Sequence, residues 1–133
     1  MIAAVCAWHE HHAAAVAAIE RRLNRGDRLV IAAHALVETY AVLTRLPSPH
    51  RLGPIDAWTL VKTNFVEHAA LTTLSGAAHV ALLSRLAAAG RGGGRTYDAL
   101  IAATAVHGNA DELLTFNGRH FDEDARIAVI TPD

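Results

Sequence analysis

Three side chains with oxygen donors follow predicted strands, where an open parallel sheet binds its ligands. Glu38 lies one turn into the helix after a strand at residues 28–32, Asp98 lies in the first turn of an apolar helix, and Asn117 follows a strand at residues 113–116. Carboxylate and amide oxygens suit Mg²⁺ or Mn²⁺ better than zinc. Carboxylates that hold such ions serve phosphoryl chemistry, because the ion activates water and stabilises charge on a phosphate.

Each of the three residues also has a purely structural explanation. A carboxylate is stabilised near the positive end of a helix, which accounts for Glu38 and Asp98, and Asn117 opens an Asn-Gly pair typical of a turn. Periodicity alone favours the structural explanation for Glu38. Asp98 is harder to explain in this way, because a buried helix offers a carboxylate little water and a cation would compensate for that loss.

A histidine-rich cluster is the second candidate site. Residues 9–12 read His-Glu-His-His, and on a helix His9 and His12 would share a face that could hold zinc. The cluster lacks the His-Glu-x-x-His pattern of metalloproteases, and no second cluster has matching spacing. A solvated helix start is therefore the favoured interpretation.

Two runs of like charge complete the polar features. The acidic residues 122–124 are expected to form a solvated turn. The arginines at positions 21, 22, 25 and 28 are expected on a solvated face, with binding of phosphates or of an acidic partner as the alternative.

Helical and strand-like segments alternate along the chain. Apolar spacing, Pro54, the capping residue Ser75 and the stop at Gly108 predict helices over residues 11–25, 34–46, 54–65, 75–90 and 96–108. Short apolar runs predict strands at residues 28–32, 69–74, 113–116 and 127–130. This alternation predicts a parallel sheet covered by helices on both faces. Residues 1–5 resemble the tail of a strand whose beginning is absent.

The composition indicates one folded domain over residues 1–133. Hydrophobic residues make up 52% and charged residues 19%, which excludes a disordered chain. No run of about 18 apolar residues predicts a membrane span, and no signal peptide is recognisable. The single cysteine, Cys6, excludes an internal disulfide and indicates a reducing, cytoplasmic location. The net charge of -1 gives no support to general nucleic-acid binding, but it leaves room for a local basic patch.

The order and spacing of three segments resemble those of the PIN-domain ribonucleases, and within them the VapC toxins of bacterial toxin–antitoxin pairs. The segments are HALVETYAVLTRLP at residues 34–47, TYDALIAAT at 96–104 and LLTFNGRHF at 113–121. The resemblance covers nearly the whole chain. It implies a three-layer α/β/α sandwich with a parallel sheet, and cleavage of RNA that depends on Mg²⁺ or Mn²⁺.

The resemblance also implies roles for residues and partners. Glu38 and Asp98 match the second and third acidic residues of the family, and Asn117 matches the fourth position, which is Asp in many members. The implied partners are an RNA substrate, a VapB-like antitoxin and a second copy of the chain, with no membrane. We expect Glu38 and Asp98 to meet at the carboxyl edge of the sheet.

The chain departs from the family at its start. Members open with a strand ending in Asp-Thr/Ser-Asn/Ser, whereas residues 1–6 resemble only the apolar stretch that follows, so the first strand and its Asp have no counterpart. We expect a poor nuclease, whose rate should rise in a form extended upstream in frame. The alternative is a non-catalytic PIN-like binding module that pairs with an antitoxin or with itself.

Overall fold

The computed structural model describes residues 1–121 and 126–133, so the acidic residues 122–124 lie outside the described residues. The described part contains six α-helices: α1 (Ile2–Val5), α2 (His12–Asn24), α3 (Ala33–Arg45), α4 (Pro54–Val61), α5 (Gly76–Ala88) and α6 (Arg95–His107). It also contains four strands: β1 (Val30–Ala32), β2 (Ala70–Thr72), β3 (Glu112–Leu114) and β4 (Ala128–Ile130). A π-helical turn, Lys62–Val66, continues α4, and Gly118–His120 form a 3₁₀ turn.

The predicted helices are confirmed because their end signals are local. Pro54 occupies the first turn of α4, where its missing N–H costs no hydrogen bond. The Ser75 hydroxyl accepts a hydrogen bond from the Ala78 backbone N–H at 3.2 Å and caps α5. Gly108 follows α6 as its C-cap.

The prediction of a strand end at residues 1–5 is wrong. Ile2–Val5 form a single helical turn, which closes when the Cys6 backbone N–H donates to the Ile2 carbonyl at 3.0 Å. Apolar side chains of this turn pack on the hydrophobic core of the N-terminal unit. The helical hydrogen bond satisfies backbone groups within the turn itself, so no neighbouring strand is needed.

The strands are three residues each and form two pairs within the described part of the chain. β1 pairs with β2, and β3 pairs with β4 in parallel, with Leu113 opposite Val129. The parallel pairing and the alternation of helix and strand confirm the α/β class. All four strands are shorter than predicted, because pairing depends on neighbours that a local apolar run does not reveal.

The chain divides into two compact units. The N-terminal unit comprises residues 1–71 and Asp133, and the C-terminal unit comprises residues 72–132. That the two units form the single domain expected for residues 1–133 stays a prediction. No helix in the described ranges has the length and apolar character needed to cross a membrane.

Each unit has its own hydrophobic core. In the N-terminal unit, the buried residues come from the C-cap of α1, from β1, α3 and α4, and from the π-helical turn. They are Cys6, Ile31, Leu43, Ala57, Val61 and Phe65. In the C-terminal unit, Leu74, Leu82 and Leu86 are buried against Ala78, Ala99, Leu100 and Ala103, which joins α5 to α6. α6 is less buried than its apolar sequence predicts. Thr104 is its one fully buried side chain within the described residues, and its hydroxyl donates to the Leu100 carbonyl at 2.7 Å.

Leu43→Ala should destabilise the protein strongly, because Leu43 is completely buried at the contact of α3 with α4. The expected loss in the free energy of unfolding is about 2–5 kcal/mol, measured by urea denaturation. Leu23→Ala is the matched control, since Leu23 is 46% exposed on α2 and should lose less than about 1 kcal/mol. Equal losses in the two variants would show that Leu43 is not a core residue.

Candidate functional site

Asp98 lies in the first turn of α6, directly after the loop of residues 91–94, and its side chain is half-buried. The loop reaches the helix through Gly93, whose φ of +65° favours glycine. The positive end of the helix favours a carboxylate at this position. Asp98 therefore lies where a negative charge is stabilised, yet where solvent still reaches it.

A groove of about 700 Å³ opens beside Asp98, within the C-terminal unit. Its apolar lining comes mainly from α5 and α6, including Leu82, Leu86, Ala99 and Ala103. The charged side chains that line it are Arg85, Arg91, Arg95, Arg126 and Asp98, with His107 beside them. Asp98 is the only acidic residue among the described residues of the lining.

Asn117 lies in an exposed turn after β3, as the Asn-Gly pair predicts. Its backbone N–H donates to the Thr115 hydroxyl at 3.1 Å, and the Thr115 backbone N–H donates to the Ile130 carbonyl at 3.0 Å. A Cβ on Gly118 would lie 3.0 Å from the Thr131 hydroxyl oxygen, so the turn sits close to the end of β4. This packing fixes the backbone of Asn117 and leaves the residue exposed.

Glu38 is exposed on α3, in the N-terminal unit, between exposed Val37 and buried Thr39. The Thr39 hydroxyl donates to the Met1 sulfur at 3.5 Å, so the start of the chain lies against this part of α3. Burial lowers the pKa of the Met1 α-amino group, and the charges of Cys6 and Glu38 act in the opposite direction. Glu38 therefore lies within Coulomb range of a buried amine.

The three predicted site residues are divided between the two units. Glu38 belongs to the N-terminal unit, whereas Asp98 and Asn117 belong to the C-terminal unit, so the expected meeting of Glu38 and Asp98 stays a prediction. Among residues 1–121 and 126–133, no three His, Cys, Asp or Glu side chains are grouped so that they could hold a metal ion. A metal would depend on few protein ligands together with water.

The histidine cluster has structural partners. The prediction that His9 and His12 share a helix face is wrong, because α2 begins at His12 and His9 lies in the turn before it. His9 Nδ1 accepts from the His11 backbone N–H at 3.1 Å, and His12 Nδ1 lies 2.8 Å from the Ala3 carbonyl, to which it must donate. These bonds support the interpretation of residues 9–12 as the start of a helix.

The arginines around Asp98 were not singled out from the sequence, which drew attention to those at positions 21–28 instead. One signal was present: Arg95 precedes Asp98 by three residues, a spacing that puts both on one face of a helix. Arg85 and Arg126 lie far from Asp98 along the chain, and only the fold brings them to the groove.

Comparison with known proteins identifies the family. The PIN domain family matches residues 1–126 of the chain. The chain is 40% identical to Ribonuclease VapC40 of Mycobacterium tuberculosis over 133 aligned positions, which cover 97% of this chain and 90% of that protein. It is 39% identical to Ribonuclease VapC27 of the same organism over 127 positions, which cover 96% of this chain and 79% of that protein.

The chain belongs to the PIN-domain family, and the relatives just described are VapC proteins of that family. The resemblance found in the three sequence segments is thereby confirmed. So is the α/β, PIN-like fold class.

Cys6 should make a contribution to stability that is lost at alkaline pH. Burial raises the pKa of the Cys6 thiol, and the Met1 α-amino group acts in the opposite direction. The folded state therefore keeps a proton that the unfolded state loses, so this contribution to stability is complete below about pH 8.5 and is lost as pH rises further. Urea denaturation between pH 7 and pH 10 should show a steeper loss for wild type than for Cys6→Ala. Parallel curves for the two proteins would contradict this assignment.

Proposed function

We propose that this protein is a divalent-metal-dependent endoribonuclease, the toxin component of a toxin–antitoxin pair, which hydrolyses phosphodiester bonds of RNA. The observation that carries this proposal is the 40% identity to Ribonuclease VapC40 across 97% of the chain. The PIN domain match over residues 1–126 supports the same class of activity.

Glu38, Asp98 and Asn117 are the residues that would hold the metal. All three offer oxygen donors, and none is buried, so both an ion and its waters can reach them. Mg²⁺ is commonly bound through one or two carboxylates and keeps several waters, which matches a donor set with two carboxylates and one amide. The chemistry of the donors therefore fits Mg²⁺ or Mn²⁺.

The proposed roles follow from charge and position. A divalent ion at this site would supply water activated at neutral pH and would offset the charge that develops on the phosphate. Asp98 contributes a negative charge from a fixed position at the start of α6. Asn117 contributes an oxygen without a charge, so Glu38 and Asp98 must carry the electrostatic part of metal binding.

A non-catalytic PIN-like module is the second candidate function. The observation that favours it is that no group of three acidic, histidine or cysteine side chains suited to a metal occurs among the described residues. Such a module would keep the fold and its binding surfaces, and would pair with an antitoxin or with a second copy of the chain.

Asp98→Asn and Glu38→Gln should each reduce the kcat/KM for cleavage of single-stranded RNA by about 100-fold or more, because each removes a charge that binds the ion. Asp111→Asn and Glu20→Gln are the matched controls, since both remove an exposed carboxylate, from the C-terminal and N-terminal unit respectively. The assay follows a labelled RNA in Mg²⁺, in Mn²⁺ and in EDTA.

Three results distinguish the candidates. Cleavage that requires metal and is lost in Asp98→Asn supports the nuclease. Cleavage that persists in both Asp98→Asn and Glu38→Gln rejects the proposed ligands. A folded wild-type protein that cleaves no RNA in either metal supports the binding module instead.

The proposed partners are RNA, a VapB-like antitoxin and a second copy of the chain. An exposed apolar patch on α4 supports self-association, because Ile55 is 77% exposed and Trp58 is 48% exposed three residues later on the same face. Large apolar and aromatic side chains of this kind are enriched in protein interfaces. A similar patch on α5, formed by Val80 and Leu83, is the alternative surface.

Light scattering should give twice the 14.2 kDa of one chain for wild type and the mass of one chain for Ile55→Glu. A buried glutamate at the interface would be desolvated without a partner, which disfavours the dimer. Val80→Glu, the same change on α5, should remain a dimer. A wild-type monomer at high concentration would reject the homodimer, and dissociation by Val80→Glu alone would move the interface to α5.

A further inference from the structure

Among the described residues, the lining of the groove beside Asp98 is basic, although the chain as a whole is not. Four arginines line it, at positions 85, 91, 95 and 126, with Asp98 as the one acid among the described lining residues. The chain has 12 Lys and Arg residues and 13 Asp and Glu residues, which give it a net charge of -1. A third of the basic residues therefore line one groove, and the described part of its lining carries a net positive charge, which favours anions.

Two of these arginines are held in place by the helices that carry them. Arg95 is the first residue of α6, and Asp98 follows three positions later on the same face. Arg85 lies in the last turn of α5, which packs on α6 through Leu82 and Leu86. Within the described residues, neither Arg85 nor Arg95 makes an ion pair, so no described carboxylate competes with a ligand for either guanidinium.

We propose that Arg85 and Arg95 bind phosphate groups of the RNA strand on either side of the bond to be cleaved and so position the strand at Asp98. This inference rests on the proposed nuclease function. A guanidinium donates two parallel hydrogen bonds to a phosphate, which fixes the direction as well as the distance of the contact. Both arginines are positioning residues, since the proposed chemistry takes place at Asp98.

RNA suits this groove better than an acidic peptide does. If Asp98 holds the ion at the phosphate under attack, the neighbouring phosphates of the same strand must pass along the walls that border Asp98. Those walls carry Arg85 and Arg95. An acidic peptide would satisfy the same arginines, but nothing in the proposed reaction would require it to lie at this carboxylate.

The test is the salt dependence of RNA binding by the double variant Arg85→Gln/Arg95→Gln. The probe is a fluorescein-labelled, single-stranded RNA of about 20 nucleotides and mixed sequence, followed by anisotropy in EDTA so that no cleavage occurs. Each phosphate contact contributes about 0.7 to the slope of log K against log salt for a single strand. The double variant should therefore lose about 1.4 from the magnitude of the slope, and its binding should weaken about tenfold or more.

Arg28→Gln/Arg45→Gln is the matched control, because it removes two exposed arginines of the N-terminal unit that also make no ion pair within the described residues. It should leave the slope near the wild-type value. In the cleavage assay, Arg85→Gln/Arg95→Gln should raise KM by a larger factor than it lowers kcat, because the phosphate contacts contribute mainly to binding and in part to the position of the strand. Circular dichroism confirms that both variants are folded.

The outcomes separate this inference from the proposed function. If wild type binds and cleaves RNA but Arg85→Gln/Arg95→Gln keeps its slope and KM, the inference is overturned and the nuclease stands. If wild type neither binds nor cleaves RNA, both are overturned. If a labelled 20-residue polyglutamate peptide binds the groove more tightly than RNA and loses affinity in the double variant, the groove is a peptide site and the inference is wrong.

Discussion

The packing of α5 on α6 is the contact on which the candidate site depends. Leu82 and Leu86 of α5 are buried against Ala99 and Ala103 of α6, and small alanine side chains let the two helices approach closely. The contact is entirely apolar, and it determines the positions of the charged residues at the ends of the two helices. One groove contains Asp98 and Arg95 from the start of α6 and Arg85 from the end of α5. The buried leucines of α5 hold these two helix ends next to each other.

The N-terminal unit uses the same principle for Glu38. On α3, Leu43 is buried against Ala57 and Val61 of α4, while Val37 and Glu38 stay on the solvent side. A carboxylate that binds an ion has to remain accessible to water, so its position must be set by apolar neighbours elsewhere on the helix. In both units, buried aliphatic side chains therefore fix the orientation of the helix that carries a solvent-accessible carboxylate.

The parts of the fold that depend on local chemistry could be predicted from the sequence, and the rest could not. Helix ends followed from Pro54, Ser75 and Gly108, because each acts on its own backbone. The predicted strands are longer than the observed ones, and residues 1–5 resemble the tail of a strand although Ile2–Val5 form a helical turn, because pairing and packing partners decide both. The candidate acids were recognised individually, whereas the arginine groove depends on tertiary contacts between residues as distant as 85 and 126.

The glycines near Asp98 and Asn117 in the sequence differ in how much variation they would tolerate. Gly92 and Gly94, in the loop before α6, have open space where a Cβ would be, whereas a Cβ on Gly118 would meet the Thr131 hydroxyl at 3.0 Å. A library randomised at positions 92 and 94, with Gly93 kept because of its φ of +65°, should therefore retain many folded members. A side chain at position 118 is coupled to the end of β4, because the exposed Thr131 side chain would have to shift by a few tenths of an ångström to admit it.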